Sequence, residues 1–294
     1  MADHPRFGPA GIPAAFKTLI ERVADVPRLL RNEGLDAFEY QAVRWGAKPQ
    51  MRKEEAEKLG LEAKANNVWL SVHASYFINF CGAEKIIKAS TRRLIASVTA
   101  AKWMNAHVVI FHPGFYGGKE PGKVFRKCLK PMKEAVAAMK MLGLEDVRLG
   151  PETMGRLSQF GSLDDILHLC KEVEQMQLVI DWGHLHARDS GCLKDVQDFR
   201  SIVERVEDVL GTEAARNMHC HFTKVEFSSV GERRHHIMEE AAYGPDFEMF
   251  AKVIAEFKLN PVVISESPVQ DIDAIRMRDL LKKELELQSL HTVR

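Results

Sequence analysis

Residues 68–112 read VWLSVHASYFINFCGAEKIIKASTRRLIASVTAAKWMNAHVVIFH. Two short apolar runs, Val68–His73 and His107–His112, flank one long stretch whose apolar residues recur at helical spacing. Such a run–helix–run pattern is the signature of two parallel strands joined by a crossover helix. Both runs end in a histidine.

The same alternation continues in both directions. Further strands are expected at Arg6–Pro9, Ala37–Gln41, Arg148–Glu152, Leu178–Asp181, Met218–Phe222 and Val262–Glu266, with amphipathic helices between them. Ser162, followed by Asp164 and Asp165, marks one helix start by its capping pattern. About eight βα units result, which predicts a (β/α)8 TIM barrel over residues 1–294 as a single domain with elaborated loops. An open doubly wound sheet shares the local pattern. The two longest connections are FHPGFYGGKEPG, residues 111–122, and Thr223–Asp246, and loops of that length in a compact α/β chain are usually functional or mobile.

Composition narrows the function. Lys+Arg and Asp+Glu are balanced at 41 each, so no global basic field holds nucleic acid, and any such contact must be local. No run reaches the ~18 apolar residues of a membrane span, and the first residues lack an export-signal pattern. The five cysteines, Cys81, Cys128, Cys170, Cys192 and Cys220, are odd in number and never in C-x-x-C spacing, so neither a disulfide framework nor a thiolate zinc cluster is expected. A cytoplasmic protein without membrane contact is the expectation.

The chemistry stands at the strand ends: His73, His112, Glu152, Asp181, His219 with His221, and Glu266. In a parallel barrel these ends share one face and would converge on one mouth. Carboxylates gathered there repel one another unless cations compensate them, and Lys and Arg are nearly absent from these ends. A metal is therefore implied. Imidazoles and carboxylates without thiolates suit zinc, manganese or iron. His184, three residues beyond Asp181, can reach the same mouth. His219 and His221 are two apart in a strand and share a face, so one can be a ligand and the other a supporting or further ligand. Scattered histidines (His4, His107, His168, His291) lack this positional logic.

With those residues in hand, the chain resembles the endonuclease IV family of abasic-site DNA endonucleases, which are trinuclear-zinc TIM barrels. The resemblance is carried by HASYFINF at His73, VIFHPG at His112, PETMG at Glu152, IDWGH at Asp181 and His184, MHCHFTKVEF at His219, ERRHH at His235 and ISES at Glu266. It implies two or three zinc ions, one on His73, His112 and Glu152, and a second on Glu152, Asp181, His219 and Glu266. The third would lie on His184 and His235, where this chain offers Glu232, one residue away from the family's aspartate, or else projects Arg233 toward substrate phosphate. Glu152, Asp181 and Glu266 are then the candidate catalytic carboxylates. Activity would be phosphodiester hydrolysis at abasic sites in DNA by a metal-activated water, with Tyr76, Arg44 and Trp45 as DNA contacts. The first strand lacks the family's histidine. Two other readings stay open: a one-metal sugar isomerase or epimerase of the xylose-isomerase-like barrels, using Glu152, Asp181, His219 and Glu266, and a metal-bearing scaffold without turnover.

Overall fold

The computed structural model describes residues 3–292, with the side chains of residues 3–290; the side chain of His291 lies outside them. Eight parallel strands form the barrel: β1 Arg6–Pro9, β2 Ala37–Gln41, β3 Trp69–His73, β4 Val108–Phe111, β5 Arg148–Pro151, β6 Val179–Asp181, β7 His219–Phe222 and β8 Val262–Ser265. Strands β2 to β5 pair in order, and β6 to β8 continue round to β1. Bridges Ala10↔Glu39 and Glu152↔Val179 close the two seams. The expected TIM barrel is the observed fold, and each expected strand is present, shorter by a residue or two at some ends.

Strand alternation decides what faces inward. Phe7, Phe38, Leu70, Val72, Val109, Phe111, Leu149, Ile180, Phe222 and Val263 point outward into one continuous apolar core under the helices. The opposite parity points into the barrel. Its apolar part is small: Ala37, Val262 and Ile264 on one side, Val108, Ile110 and Val179 on the other. Ala10 and Trp69 pack against the first group, most other inward positions are polar, and two inward glycines let neighbouring strands approach closely. A Cβ on Gly8 would lie 1.7 Å from the Ala37 carbonyl oxygen, and one on Gly150 would lie 2.5 Å from Val179.

Outside, Ser162 caps helix Leu163–Glu172 in a capping box with Asp165, as its sequence predicts. The long Thr223–Asp246 connection is a β-hairpin, Lys224–Ser228 against Gly231–His236, folded over the barrel mouth. Against the expectation of no disulfide framework, one pair is joined: Cys81, after β3, and Cys128, in helix Pro121–Met141, form a disulfide with Cα atoms 5.0 Å apart. Two cysteines 47 apart in sequence meet because that helix packs beside the β3 loop, which spacing alone does not show. Among the described residues, no helix is long and apolar enough to cross a membrane.

Candidate metal centre

The inward side chains at the strand ends meet around Glu152, which is fully buried at the end of β5. Its Oε2 lies 3.0 Å from His112 Nε2 and 3.4 Å from His73 Nε2. Its Oε1 lies 2.9 Å from His221 Nδ1, which is also 3.4 Å from Glu266 and 4.0 Å from Asp181. Beside this lies a third group: Glu232 Oε2 is 3.3 Å from His184 Nε2, and its Oε1 is 3.2 Å from His235 Nε2. Ligating atoms within each of the sets His73–His112–Glu152, Glu152–Asp181–His221–Glu266 and His184–Glu232–His235 lie within 4.8 Å of one another.

One position differs from the sequence expectation. His221, not His219, stands beside Glu152, Asp181 and Glu266. The parallel register explains it: His221 is level with Asp181 and Ile264, while His219 is level with Val179 and Val262. Two residues along a strand drop His219 by ~6.6 Å, to a lower tier of the barrel. There it meets Glu39 and His107.

Glu232 comes into place through backbone pairing. The hairpin bridges the β5 loop at Arg156↔Gly231, and the Glu232 amide donates to the Gly155 carbonyl at 3.2 Å. Gly155 permits this approach, since a Cβ there would meet Glu232 Cβ at 2.8 Å and His184 Cδ2 at 3.0 Å. Arg233 points out to solvent and pairs with Glu226 at 2.8 Å, so it does not enter the mouth.

The donor set fits divalent ions on two counts. The first is tautomer control. His73 Nδ1 pairs with the Ala74 carbonyl at 2.9 Å, His184 Nδ1 with the Thr153 carbonyl at 2.8 Å, and His235 Nδ1 with the Glu266 carbonyl at 2.9 Å. A carbonyl only accepts, so each Nδ1 carries the proton and each Nε2 turns a lone pair to the mouth, the arrangement of metal-ligating histidines. The second is unmet demand. Buried Glu152 Oε2 and Asp181 Oδ2 have no donor in hydrogen-bonding geometry, which is costly unless a cation serves them. Zinc, manganese and iron(II) all suit nitrogen and oxygen donors of this kind.

Among the described residues, imidazoles face these acids, and several are held toward their protonated form. Burial lowers the pKa of His221, but Glu39, Glu266 and Glu152 together hold it well above the ordinary value. His184 is held up similarly by Asp181 and Glu232, while His235, against the same burial, is raised by Glu232 to about 9. Glu266, shielded by burial and facing Glu152 and Asp181, is pushed up despite His221. Divalent ions would release all of these protons.

The expected DNA contacts separate. Tyr76 is half exposed at the rim, its ring stacked on His112 at 5.2 Å and edge-on to His73. Arg44 is exposed, and its loop is tied to Tyr76 by the Tyr76 amide and the Val43 carbonyl. Trp45 is a correction: it is buried against Tyr40 and is a core residue, unavailable to a ligand. Phe77, 63% exposed next to Tyr76, was not singled out by the sequence, because an aromatic after a strand usually packs inward.

A parallel barrel whose mouth is lined by adjoining sets of imidazoles and carboxylates that could hold metal ions is a barrel of the xylose-isomerase-like class. The chain belongs to the xylose isomerase-like TIM barrel family, whose model matches residues 27–288. It is 32% identical over 272 residues to an uncharacterized protein of Methanocaldococcus jannaschii, spanning 92% of this chain and 94% of the other. It is 23% identical over 279 residues to a probable endonuclease 4 of Oceanobacillus iheyensis, spanning 88% and 90%. In structure it is similar to endonuclease IV from Thermus thermophilus, with TM-score 0.69 at 20% identity over 95% of this chain and 100% of that one. It is also similar to a D-tagatose 3-epimerase-like protein, with TM-score 0.68 at 16% identity over 98% and 99%.

Proposed function

We propose that this protein is a metal-dependent phosphodiesterase of the endonuclease IV type, hydrolysing the DNA backbone at abasic sites with two or three zinc ions, or with manganese or iron in their place. The observation that carries this reading is the sharing of Glu152 between two donor sets, with a third set adjoining them. A sugar isomerase needs only the Glu152–Asp181–His221–Glu266 quartet, and His73, His112, His184, Glu232 and His235 would then serve nothing. We read the whole chain as one barrel domain acting in the cytoplasm.

Divalent ions held there would supply Lewis acidity, activating water and neutralising phosphate oxygens. The protein's own part is arrangement. Glu152 would hold two ions at a fixed separation. Asp181 and Glu266 would complete the deeper ion's sphere, with His221. Asp181 Oδ1 already accepts from the His184 amide at 2.6 Å, which leaves Oδ2 for the mouth. Arg44 and Arg156 on loops, and Arg234 on the hairpin, are all exposed and would supply the local positive charge that the neutral chain lacks overall. Tyr76 and Phe77 offer aromatic faces on which an unstacked base can rest.

Epimerase relatives of the fold keep the second reading alive through the quartet. The test is incubation of zinc- or manganese-loaded protein with a duplex carrying one tetrahydrofuran abasic analogue. A single incision at the analogue is expected. No incision, together with interconversion of ketohexoses at C3, would replace the phosphodiesterase with the epimerase.

A further inference from the structure

We propose that Glu39 is a positioning residue for the deeper metal ion: by accepting the Nε2–H of His221, it fixes that imidazole with Nδ1 toward Glu152, Asp181 and Glu266. The inference rests on the reading that the mouth holds divalent ions.

His221 differs from the other histidines of the mouth. His73, His184 and His235 turn Nε2 to the mouth and tie Nδ1 to a backbone carbonyl. His221 turns Nδ1 to the mouth, at 2.9 Å from Glu152, so Nε2 points down the barrel axis. No strand carbonyl can serve it there, because barrel carbonyls lie in the sheet and are spent on neighbouring strands. A side chain must do so, and the one that does is Glu39, whose Oε2 lies 3.1 Å from His221 Nε2.

Glu39 is itself built in as an acceptor. It is fully buried in the middle of β2. The Ser71 hydroxyl donates to its Oε2 at 3.0 Å and the Gln41 amide to its Oε1 at 3.0 Å. His219 Nε2 approaches the same Oε2 at 3.4 Å, backed by His107, whose Nε2 is 3.3 Å from His219 Nδ1. With Ser71 and Gln41 donating to it, Glu39 is held in place as an acceptor for the Nε2–H of His221. With Nε2–H held by Glu39, the Nδ1 edge of His221 faces Glu152, Glu266 and Asp181, and would turn a lone pair to an ion bound there. This carboxylate–histidine–metal geometry orients the ring and raises its basicity.

The test is metal affinity, not turnover. Wild type, Glu39→Gln and Glu39→Leu are titrated with zinc against a chromophoric chelator, and with cobalt(II) followed by its visible spectrum. Glu39→Gln keeps an acceptor but loses the charge. It should weaken one ion by about tenfold, and Glu39→Leu by about a hundredfold, with the other ions unchanged and the cobalt bands of that site altered. Nitrogen NMR of the zinc form should show His221 protonated on Nε2. Should the leucine variant fail to fold, the glutamine variant carries the test. Wild-type affinities and cobalt spectra in the folded variants would overturn the role of Glu39 alone. A wild type that binds no divalent ion would overturn it together with the metal reading beneath it.

Discussion

The barrel holds two tiers of acids and imidazoles, and their difference shows what makes a metal site. In the lower tier, Glu39, His219 and His107, the acid is well supplied: Glu39 accepts from Ser71 and Gln41, and His107 Nδ1 pairs with the Leu70 carbonyl at 2.7 Å. The upper tier, Glu152, Asp181 and Glu266 with their histidines, is open, with an oxygen of Glu152 and one of Asp181 lacking a donor in hydrogen-bonding geometry. The residue types are the same. What separates the tiers is how far protein donors supply the acids: Glu39 accepts on both oxygens, while Glu152 and Asp181 each keep one oxygen without a hydrogen-bond partner.

The largest effect should follow from Glu152→Gln, which removes the charge shared by two donor sets. Incision of the abasic duplex should fall by at least about a thousandfold, equivalent to ~4 kcal/mol of transition-state stabilisation, with circular dichroism unchanged. Activity near wild type would mean that the upper tier is as self-sufficient as the lower. Next come His73→Ala and His112→Ala, each expected to lower the bound metal by about one ion in elemental analysis. Unchanged stoichiometry would make these histidines structural.

Smaller effects lie at the rim. Tyr76→Ala should weaken DNA binding by ~1–3 kcal/mol while leaving metal content intact, measured as KM on the abasic duplex. Arg44→Ala should reduce the slope of log affinity against log salt by about 1, whereas Trp45→Ala should lower the melting temperature instead of DNA affinity. The smallest effect concerns the lower tier. Burial, with His219 beside it, depresses His107 to about 3 from an ordinary 6.5. A depressed imidazole is neutral in the fold, so its contribution is complete above pH ~6.5 and is lost as pH falls toward 3. Its ring is partly open to a cavity of about 560 Å³ at the opposite end of the barrel, which reduces the slope below the ~1.4 kcal/mol per pH unit of one proton. His107→Gln should flatten the decline in stability between pH 7.5 and 5, as followed by denaturant unfolding. An unchanged decline would move the acid sensitivity elsewhere.

The upper tier was legible in sequence because its residues end apolar runs, and a barrel gathers strand ends. The lower tier was not. Glu39 sits mid-strand in AFEYQ, where alternation alone does not say which parity enters the barrel, and His107 precedes its strand. The substitution of His221 for His219 turns on register, a relation between strands that no single segment contains. Glu232 was legible through its two neighbouring histidines, while Gly155, which lets it approach, has no chemistry of its own to mark it. The Cys81–Cys128 pairing and the burial of Trp45 depend on packing between segments distant in sequence or on loop conformation.

Metal stoichiometry tests the central claim most directly. Protein purified without chelators and measured by elemental analysis should carry two or three zinc, manganese or iron ions per chain, filling the sets that meet at Glu152 and Glu232. One ion per chain, lost in a His221→Ala variant and retained in His73→Ala and His235→Ala, would contradict the multi-metal phosphodiesterase and leave a single-ion barrel.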